Sequence, residues 1–293
     1  MRMLPTIKRL SPSCVEVLRT AEAQADYRYL YISDIHLDNP KCDRNLLRRH
    51  LDEAVELDAP IFVFGDLFCA MQGKGDPRGS KSDVLEPHKR TYWNALLNDA
   101  YAFFLPYAKN LAVVSDGNHE TSVIKHREID LLEILAERLR AEGSPVEHMP
   151  YQGWVKHRYR RPGKQSRDGS CGASILTHFD HGNGGGGPVT RNVIETNRRL
   201  ARIENADVYV YAHVHEIWQV KTQRERITAQ GRMEFANQLH VQCGTYKQEY
   251  GPNSGFHMQR GAPPKPLGGW WVRHRLKINN GTRLWHVTAE ETF

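Results

Sequence analysis

The chain has 293 residues, enough to bury the core of one large α/β domain, and its 40 lysines and arginines against 34 acidic residues give a formal charge of +6 that suits an anionic partner such as a nucleotide or nucleic acid. No apolar run approaches the roughly 18 to 20 residues that span a bilayer, and the N-terminus lacks an apolar stretch and a small-residue cleavage site, so the expected location is cytoplasmic, or host cytoplasm if the gene is phage-borne, with no membrane partner. The cysteines Cys14, Cys42, Cys69, Cys171 and Cys243 have no Cys-x-x-Cys spacing, which argues against a disulfide framework.

In chain order, the first two-thirds alternates short apolar runs with helical patterns, as strands joined through helices in a layered α/β domain do. The runs predicted as strands are 28–32 (RYLYI), Ile61–Phe64, Leu111–Ser115, 173–177 (ASILT) and 208–212 (VYVYA). Between them, 44–57 places Leu47, Leu51, Ala54 and Val55 at helical spacing behind Asp43 as N-cap. Residues 92–107 and 128–140 read as helices, the second stopped before Gly143 and Pro145, and 190–204 as a helix opened by Pro188 and a glycine run. After His215 the character changes to strands at Trp218–Ile227, 238–244, 270–278 and 282–288, with Asn279-Asn280-Gly281 as a hairpin turn. The Gly- and Pro-rich stretch 250–269 is expected to be a surface loop. Residues 1–293 therefore read as a single domain, with a core over about 28–216 and a β-rich completion or small cap over about 217–293.

Each apolar run of the first two-thirds is followed at once by polar groups. They are Asp34 and His36 in SDIH, Asp66 in FGDLF, Asn118 and His119 in DGNHE, His178 or His181 in THFDHG, and His213 and His215 in AHVH. Ligands of open α/β sheets bind outside the carboxyl ends of the strands, so five segments deliver these groups to one place. In extended backbone, residues i and i+2 project to one side, which lets Asp34 pair with His36 and His213 with His215. A mixed nitrogen and oxygen set without thiolate suits Mn, Fe, Zn or Ni before Mg or Ca. The set is too large for one ion and suits two, roughly 3.5 to 4 Å apart. Singly, Gly-Asp and Gly-Asn-His are commonplace turns; their ordered conjunction is what points to metal.

These segments closely resemble the signature of the calcineurin-like metallophosphoesterases: Asp-x-His, Gly-Asp, Gly-Asn-His-Asp/Glu, His and Gly-His-x-His. The resemblance implies a four-layer β-sandwich of two mixed sheets flanked by helices, with two divalent ions. It assigns Asp34, His36 and His215 to one ion, Asn118, the middle histidine and His213 to the other, and Asp66 to both. His181 is favoured over His178 because it precedes Gly182, as family ligands often do. The segment HGNGGGGPVTR looks like a feature of phage- and prophage-type members. Two departures stand out. Ala212 replaces the usual glycine of the last motif, and Cys69 stands where relatives carry the Asp of an Asp-Arg pair or a His, so His119 needs another group to orient it.

By the same resemblance the activity is metal-dependent phosphoester hydrolysis by a hydroxide that two metals activate, with manganese the first expectation and Fe, Zn, Ni or Mg the alternatives. His119 is the candidate for stabilising the transition state or protonating the leaving group. The substrate-binding candidates are Asn118, His119, Gly182, Asn183 and Arg191, because a glycine run lets backbone N–H groups approach an anion and a helix N-terminus behind it is positive. Arg198, Arg199 and Arg202 follow on that helix, where they cannot all face the site. A phosphodiesterase or nuclease-like enzyme is the preferred expectation. The alternatives are a phosphomonoesterase, a nucleotide pyrophosphatase, and a non-catalytic nucleic-acid-binding scaffold.

Overall fold

The computed structural model describes residues 4–21, 24–70, 84–160, 172–185, 187, 189–250, 261, 263–279 and 282–293. Most of the 250–269 loop and the Asn280-Gly281 turn lie outside the described residues. Among the described residues, thirteen strands form two sheets. The first has the order β1 (Thr6–Ser11), β2 (Cys14–Thr20), β7 (Gln152–Arg160), β8 (Gly172–Asp180), β9 (Val208–Tyr211), β11 (Met233–Gln242) and β10 (Trp218–Ile227). The second has β13 (Thr282–Glu291), β12 (Trp270–Asn279), β3 (Asp26–Ile32), β4 (Ile61–Phe64), β5 (Leu111–Ser115) and β6 (Glu147–Met149). Both are mixed: β3 to β6 run parallel, as do β8, β9 and β11, while the hairpins β1–β2, β10–β11 and β12–β13 are antiparallel.

Strand alternation sorts the side chains into layers. Tyr29, Tyr31, Phe62 and Phe64 face the other sheet and pack with Val15, Val155, Phe179, Val208 and Val241. Leu30, Ile32, Ile61 and Val63 face outward against α1 (Arg44–Glu56), α2 (Tyr92–Phe104) and α4 (Leu131–Ala141). The outer face of the first sheet meets α5 (Glu195–Arg202), with Leu200, Tyr209, Tyr211 and Trp154 in contact. The result is the four-layer arrangement expected.

Several elements differ from expectation. The basic N-terminal segment is a hairpin, β1 and β2, and β7 was missed because its buried positions, Gly153, Val155, His157 and Tyr159, do not make an apolar run. Residues 118–127 form α3 (Asn118–Arg127), which lacks an apolar stripe, and α4 begins later than expected behind Asp130, whose side chain accepts from Glu133 N–H. Helix α5 begins at Glu195, well beyond the glycine run. The C-terminal strands divide between the sheets. Strands β10 and β11 extend the first, and β12 pairs with β3 from Trp270–Tyr31 to Arg275–Asp26 in the second.

Candidate metal centre

The residues after β3, β4, β5, β8 and β9 meet at one end of the two sheets. Around Asp34, the His215 Nε2 lies 3.3 Å from Asp34 Oδ1 and 3.3 Å from His36 Nε2. Around Asp66, the His181 Nε2 lies 3.2 Å from Asp66 Oδ2 and 3.1 Å from Asn118 Oδ1, and His213 Nδ1 lies 2.7 Å from that same Asn118 oxygen. His119 Nε2 is 3.6 Å from Asp66 Oδ2. Asp34, His36, Asp66 and His181 are buried, while Asn118, His119, His213 and His215 are half-buried and form the open side.

The backbone explains why these residue types stand here, and it corrects the expectation of extended geometry. Asp34, His36, Asp66, His213 and His215 all have positive φ, of 50°, 50°, 52°, 72° and 57°. The alternation of pairs i and i+2 survives, but through left-handed turns just past the strand ends. Asp and His enter this region more readily than most residues, and each instance still costs on the order of 1 to 3 kcal/mol. Five such residues in one place mark a site held under strain. Glycine is required twice nearby. A Cβ on Gly65, which itself has φ +88°, would stand 2.3 Å from His181 Nδ1, and one on Gly117 would stand 2.0 Å from Asp66 Oδ1. Ala212 has no positive φ, and so its methyl group in place of glycine brings no strain.

A surrounding set of hydrogen bonds aims the donors. The Ser33 hydroxyl donates to Asp34 Oδ2 at 2.7 Å and His213 N–H to the same oxygen at 3.0 Å, leaving Oδ1 turned to the histidines. His181 Nδ1–H donates to the Phe64 carbonyl at 3.0 Å, which leaves Nε2 as the atom it can offer a cation. Glu120, adjacent to the motif histidine, accepts from Asp66 N–H, Phe68 N–H and Gly117 N–H at 3.1, 2.9 and 2.9 Å and binds the β4 and β5 loops together. Asp38 accepts from Cys69 N–H and Ala70 N–H, and Thr245 Oγ1 donates to the Asp34 carbonyl at 2.7 Å. The sequence signals for these were Glu120 closing GNHE and Asp38 two residues past His36; Thr245 had none. The group that orients His119 is the Cys69 backbone carbonyl, which accepts from His119 Nδ1. Because a main-chain oxygen does this, the departure at position 69 leaves His119 supported.

Electrostatics run the same way. Burial would raise the Asp66 carboxyl, but His119 and His181 beside it hold it well below its ordinary value. Burial would lower both histidines; the Asp66 charge, with the Cys69 carbonyl at His119 and Asp34 at His181, raises them to about 10 and about 9. His36 is pushed well below the usual histidine value by burial and by the neighbouring His119 charge. Asp34 Oδ1 and His36 Nδ1 are also buried without a hydrogen-bond partner among the described residues. Ligand atoms 2.0 to 2.2 Å from a common ion stand roughly 3 to 3.5 Å apart, close to the 2.7 to 3.3 Å between neighbouring donors here, so the residues fit divalent cations.

Not every expected residue joins. His178 is on the outer face of the first sheet, its ring 4.9 Å from that of Trp154 and 6.4 Å from that of Tyr209, because strand alternation turns it away from the core that Phe179 enters. His181, three residues on, is the histidine at the centre. The Gly182 N–H is taken by Asp180 Oδ1 at 3.0 Å, so it is not free for an anion. Asn183 and Arg191 are exposed, and the Arg191 carbonyl accepts from Trp218 Nε1 at 2.9 Å. Arg199 is buried over the Tyr211 ring and donates to the Val210 and Asp180 carbonyls, Arg202 pairs with Asp180 at 2.8 Å, and Arg198 pairs with Glu195.

Residues 27–216 match the family model of the calcineurin-like phosphoesterases. The chain belongs to this family. Its members are metal-dependent phosphoester hydrolases that generally use a binuclear divalent centre, and the matched span contains every proposed ligand. No curated protein matches the chain. Solved structures it is similar to include Vps29 of Chaetomium thermophilum, at 10% identity and TM-score 0.36, covering 90% of this chain and 96% of that one. Vps29 of Cryptosporidium parvum, at 13% and 0.33, covers 91% and 98%. GAP50 of Plasmodium, titled the anchor in the inner membrane complex, at 12% and 0.42, covers 91% and 84%. Among the described residues no helix is long and apolar enough to cross a membrane.

Proposed function

We propose that this phosphoesterase is a phosphodiesterase acting on a nucleotide or nucleic-acid diester. In this reading Asp34, His36 and His215 hold one divalent cation, Asn118, His181 and His213 a second, and Asp66 serves both. What supports it above all is Asp66, a buried carboxylate between His181 and His119 whose own carbonyl accepts the His36 N–H at 3.0 Å, so that both ligand groups are tied to one residue. Two bound divalent ions, manganese first on this nitrogen and oxygen set, supply Lewis acidity and a nucleophile from water near neutral pH.

The chain's own groups do the rest. Asp34 and Asp66 offset part of the cationic charge and leave a net positive site for a phosphate. His119, fixed through Nδ1 on the Cys69 carbonyl and half-buried at the open side, directs Nε2 toward the reacting region and hands a proton to the leaving oxygen. The diester preference rests on charge. A diester brings one negative charge where a monoester dianion brings two, and the arginines of α5 that would meet the second are bound to Asp180, Glu195 and main-chain carbonyls.

The test is a panel of metals against bis(4-nitrophenyl) phosphate, 4-nitrophenyl phosphate, nucleotide pyrophosphates and oligonucleotides. With Mn2+ the diester should exceed the monoester in kcat/KM by at least about 10-fold, or roughly 1.4 kcal/mol. The reverse order, or turnover confined to pyrophosphates, refutes the diester reading; tight DNA binding without any turnover establishes a scaffold instead. In His119→Gln the loss should be greater for alkyl leaving groups than for nitrophenolate, which needs no proton.

A further inference from the structure

We propose that Cys69, with His36 and His119, gives the centre a thiolate-containing cation position that takes Zn2+ or Cd2+ and inhibits turnover. The inhibition rests on the binuclear reading above, in which His36 is a ligand and His119 the proton donor. The site itself rests on separate geometry.

One ligand atom each from Cys69, His36 and His119 lie within 4.8 Å of one another. They arrive from three segments, the turns after β3 and β4 and the first turn of α3. Cys69 is 1% exposed and His36 2%. The cysteine is held from both sides of its backbone, its N–H on Asp38 Oδ1 and its carbonyl under His119 Nδ1, which fixes where its Cβ stands. Asn39 Nδ2–H donates to the sulfur at 3.4 Å, which gives the sulfur a fixed polar neighbour. With His119 Nδ1–H committed to a carbonyl, Nε2 is the atom it offers a cation. His36 Nδ1 is buried with no hydrogen-bond partner among the described residues. An uncommitted imidazole nitrogen, a sulfur with a donor behind it and an oriented second imidazole make a built site, beyond what a lone cysteine would be.

Chemistry then separates this position from the other two. Asp34, Asp66 and Asn118 supply oxygen to those, whereas soft sulfur selects zinc and its heavier congener cadmium over manganese. Binding exchanges the thiol proton, released to solvent, for the cation, with no change of oxidation state. A cation held here occupies His119 and competes for His36, and turnover stops.

Zinc K-edge absorption on protein loaded with excess Zn2+ should show a sulfur shell at about 2.3 Å, absent in Cys69→Ser and Cys69→Ala and retained in Cys42→Ser and Cys243→Ser. Cd2+ titrated against Mn2+-supported turnover should inhibit Cys69→Ser at a midpoint at least about 10-fold weaker than in the wild type. Absence of sulfur from the wild-type zinc shell overturns the proposal whether or not any variant folds, and so do equal cadmium midpoints. Mn2+ stoichiometry, measured by titration calorimetry on the wild type, keeps the two readings apart. Fewer than two ions per chain sinks the binuclear centre, while two ions with no zinc–sulfur shell sinks the thiolate position alone.

Discussion

Two of the places where the protein buries histidine have opposite character. Between the sheets, His157 and His274 lie in regular strands, their rings 4.8 Å apart. Tyr31 OH meets His157 Nε2 at 2.8 Å, and Tyr159 OH meets His274 Nδ1 at 2.5 Å and Tyr29 OH at 2.9 Å. Burial holds His157 well below the ordinary value and His274 down to about 3, so both are neutral packing residues with hydroxyl partners. At the strand ends, His181 is just as enclosed and His119 is half-buried, and both go the other way, because Asp66 stands beside them. Backbone conformation divides the clusters as well: neither inter-sheet histidine has positive φ, whereas five of the proposed ligands do. Burial alone therefore makes histidine inert, and one carboxylate delivered by a strained turn makes it a site.

The sharpest way to break this contrast is Asp66→Asn, which removes the charge and keeps nearly the shape. Binding of two Mn2+ should be lost and kcat/KM should fall by more than about 100-fold, read by titration calorimetry and diester turnover. Full activity in that variant would mean Asp66 does not join the two ligand groups.

The contrast also accounts for what could be read from the chain. The proposed centre was legible because each candidate ligand follows an apolar run at once and the residue types are few; Asp34, His36, Asp66, Asn118, His213 and His215 needed no more than order along the sequence. Choosing His181 over His178 was beyond spacing, since both follow β8, and only the pleat of that strand turns His178 toward Trp154 and α5. The inter-sheet cluster left no signal. Strand β7 puts His157 and Tyr159 where an apolar residue is expected, and their partners Tyr31 and His274 are distant in sequence. The support of His119 was hidden for a different reason: a main-chain carbonyl at Cys69 supplies it, and side-chain identity does not report main-chain position.

If the two clusters are independent, damage to the inter-sheet one should spare the centre. Tyr159→Phe deletes a hydroxyl that serves both Tyr29 and His274 and leaves His274 Nδ1 buried without its partner. Unfolding by urea should show a loss of about 1 to 3 kcal/mol, with Mn2+ affinity unchanged within about two-fold. A parallel fall in metal affinity would show that the core network positions the ligand turns and that the division drawn here is wrong.

A histidine in a third setting lies between these extremes. His148 on β6 has Nε2 3.0 Å from Asp116 Oδ1 and Nδ1 2.9 Å from Glu133 Oε2, with Asp130 3.9 Å away. Burial would lower it, but the Asp116 hydrogen bond and charge, aided by Asp130 and Glu133, raise it on balance, and Glu133, which burial would raise, is lowered by Arg140 first and by His148 after it. With carboxylates at both nitrogens, each needing an N–H, the imidazolium fits better than a metal ligand, which must give up one proton. The folded state then binds a proton more tightly than the unfolded chain, whose histidine titrates near about 6.5. Its stabilisation is complete below that value and disappears as pH rises through the folded one. His148→Gln should therefore cost roughly 1 kcal/mol near pH 5.5 and much less near pH 9, measured by urea unfolding at each pH. A cost that grows with pH would instead mean that a cation competes with protons for the Asp116, Asp130 and His148 group, making this third cluster a metal site like the first.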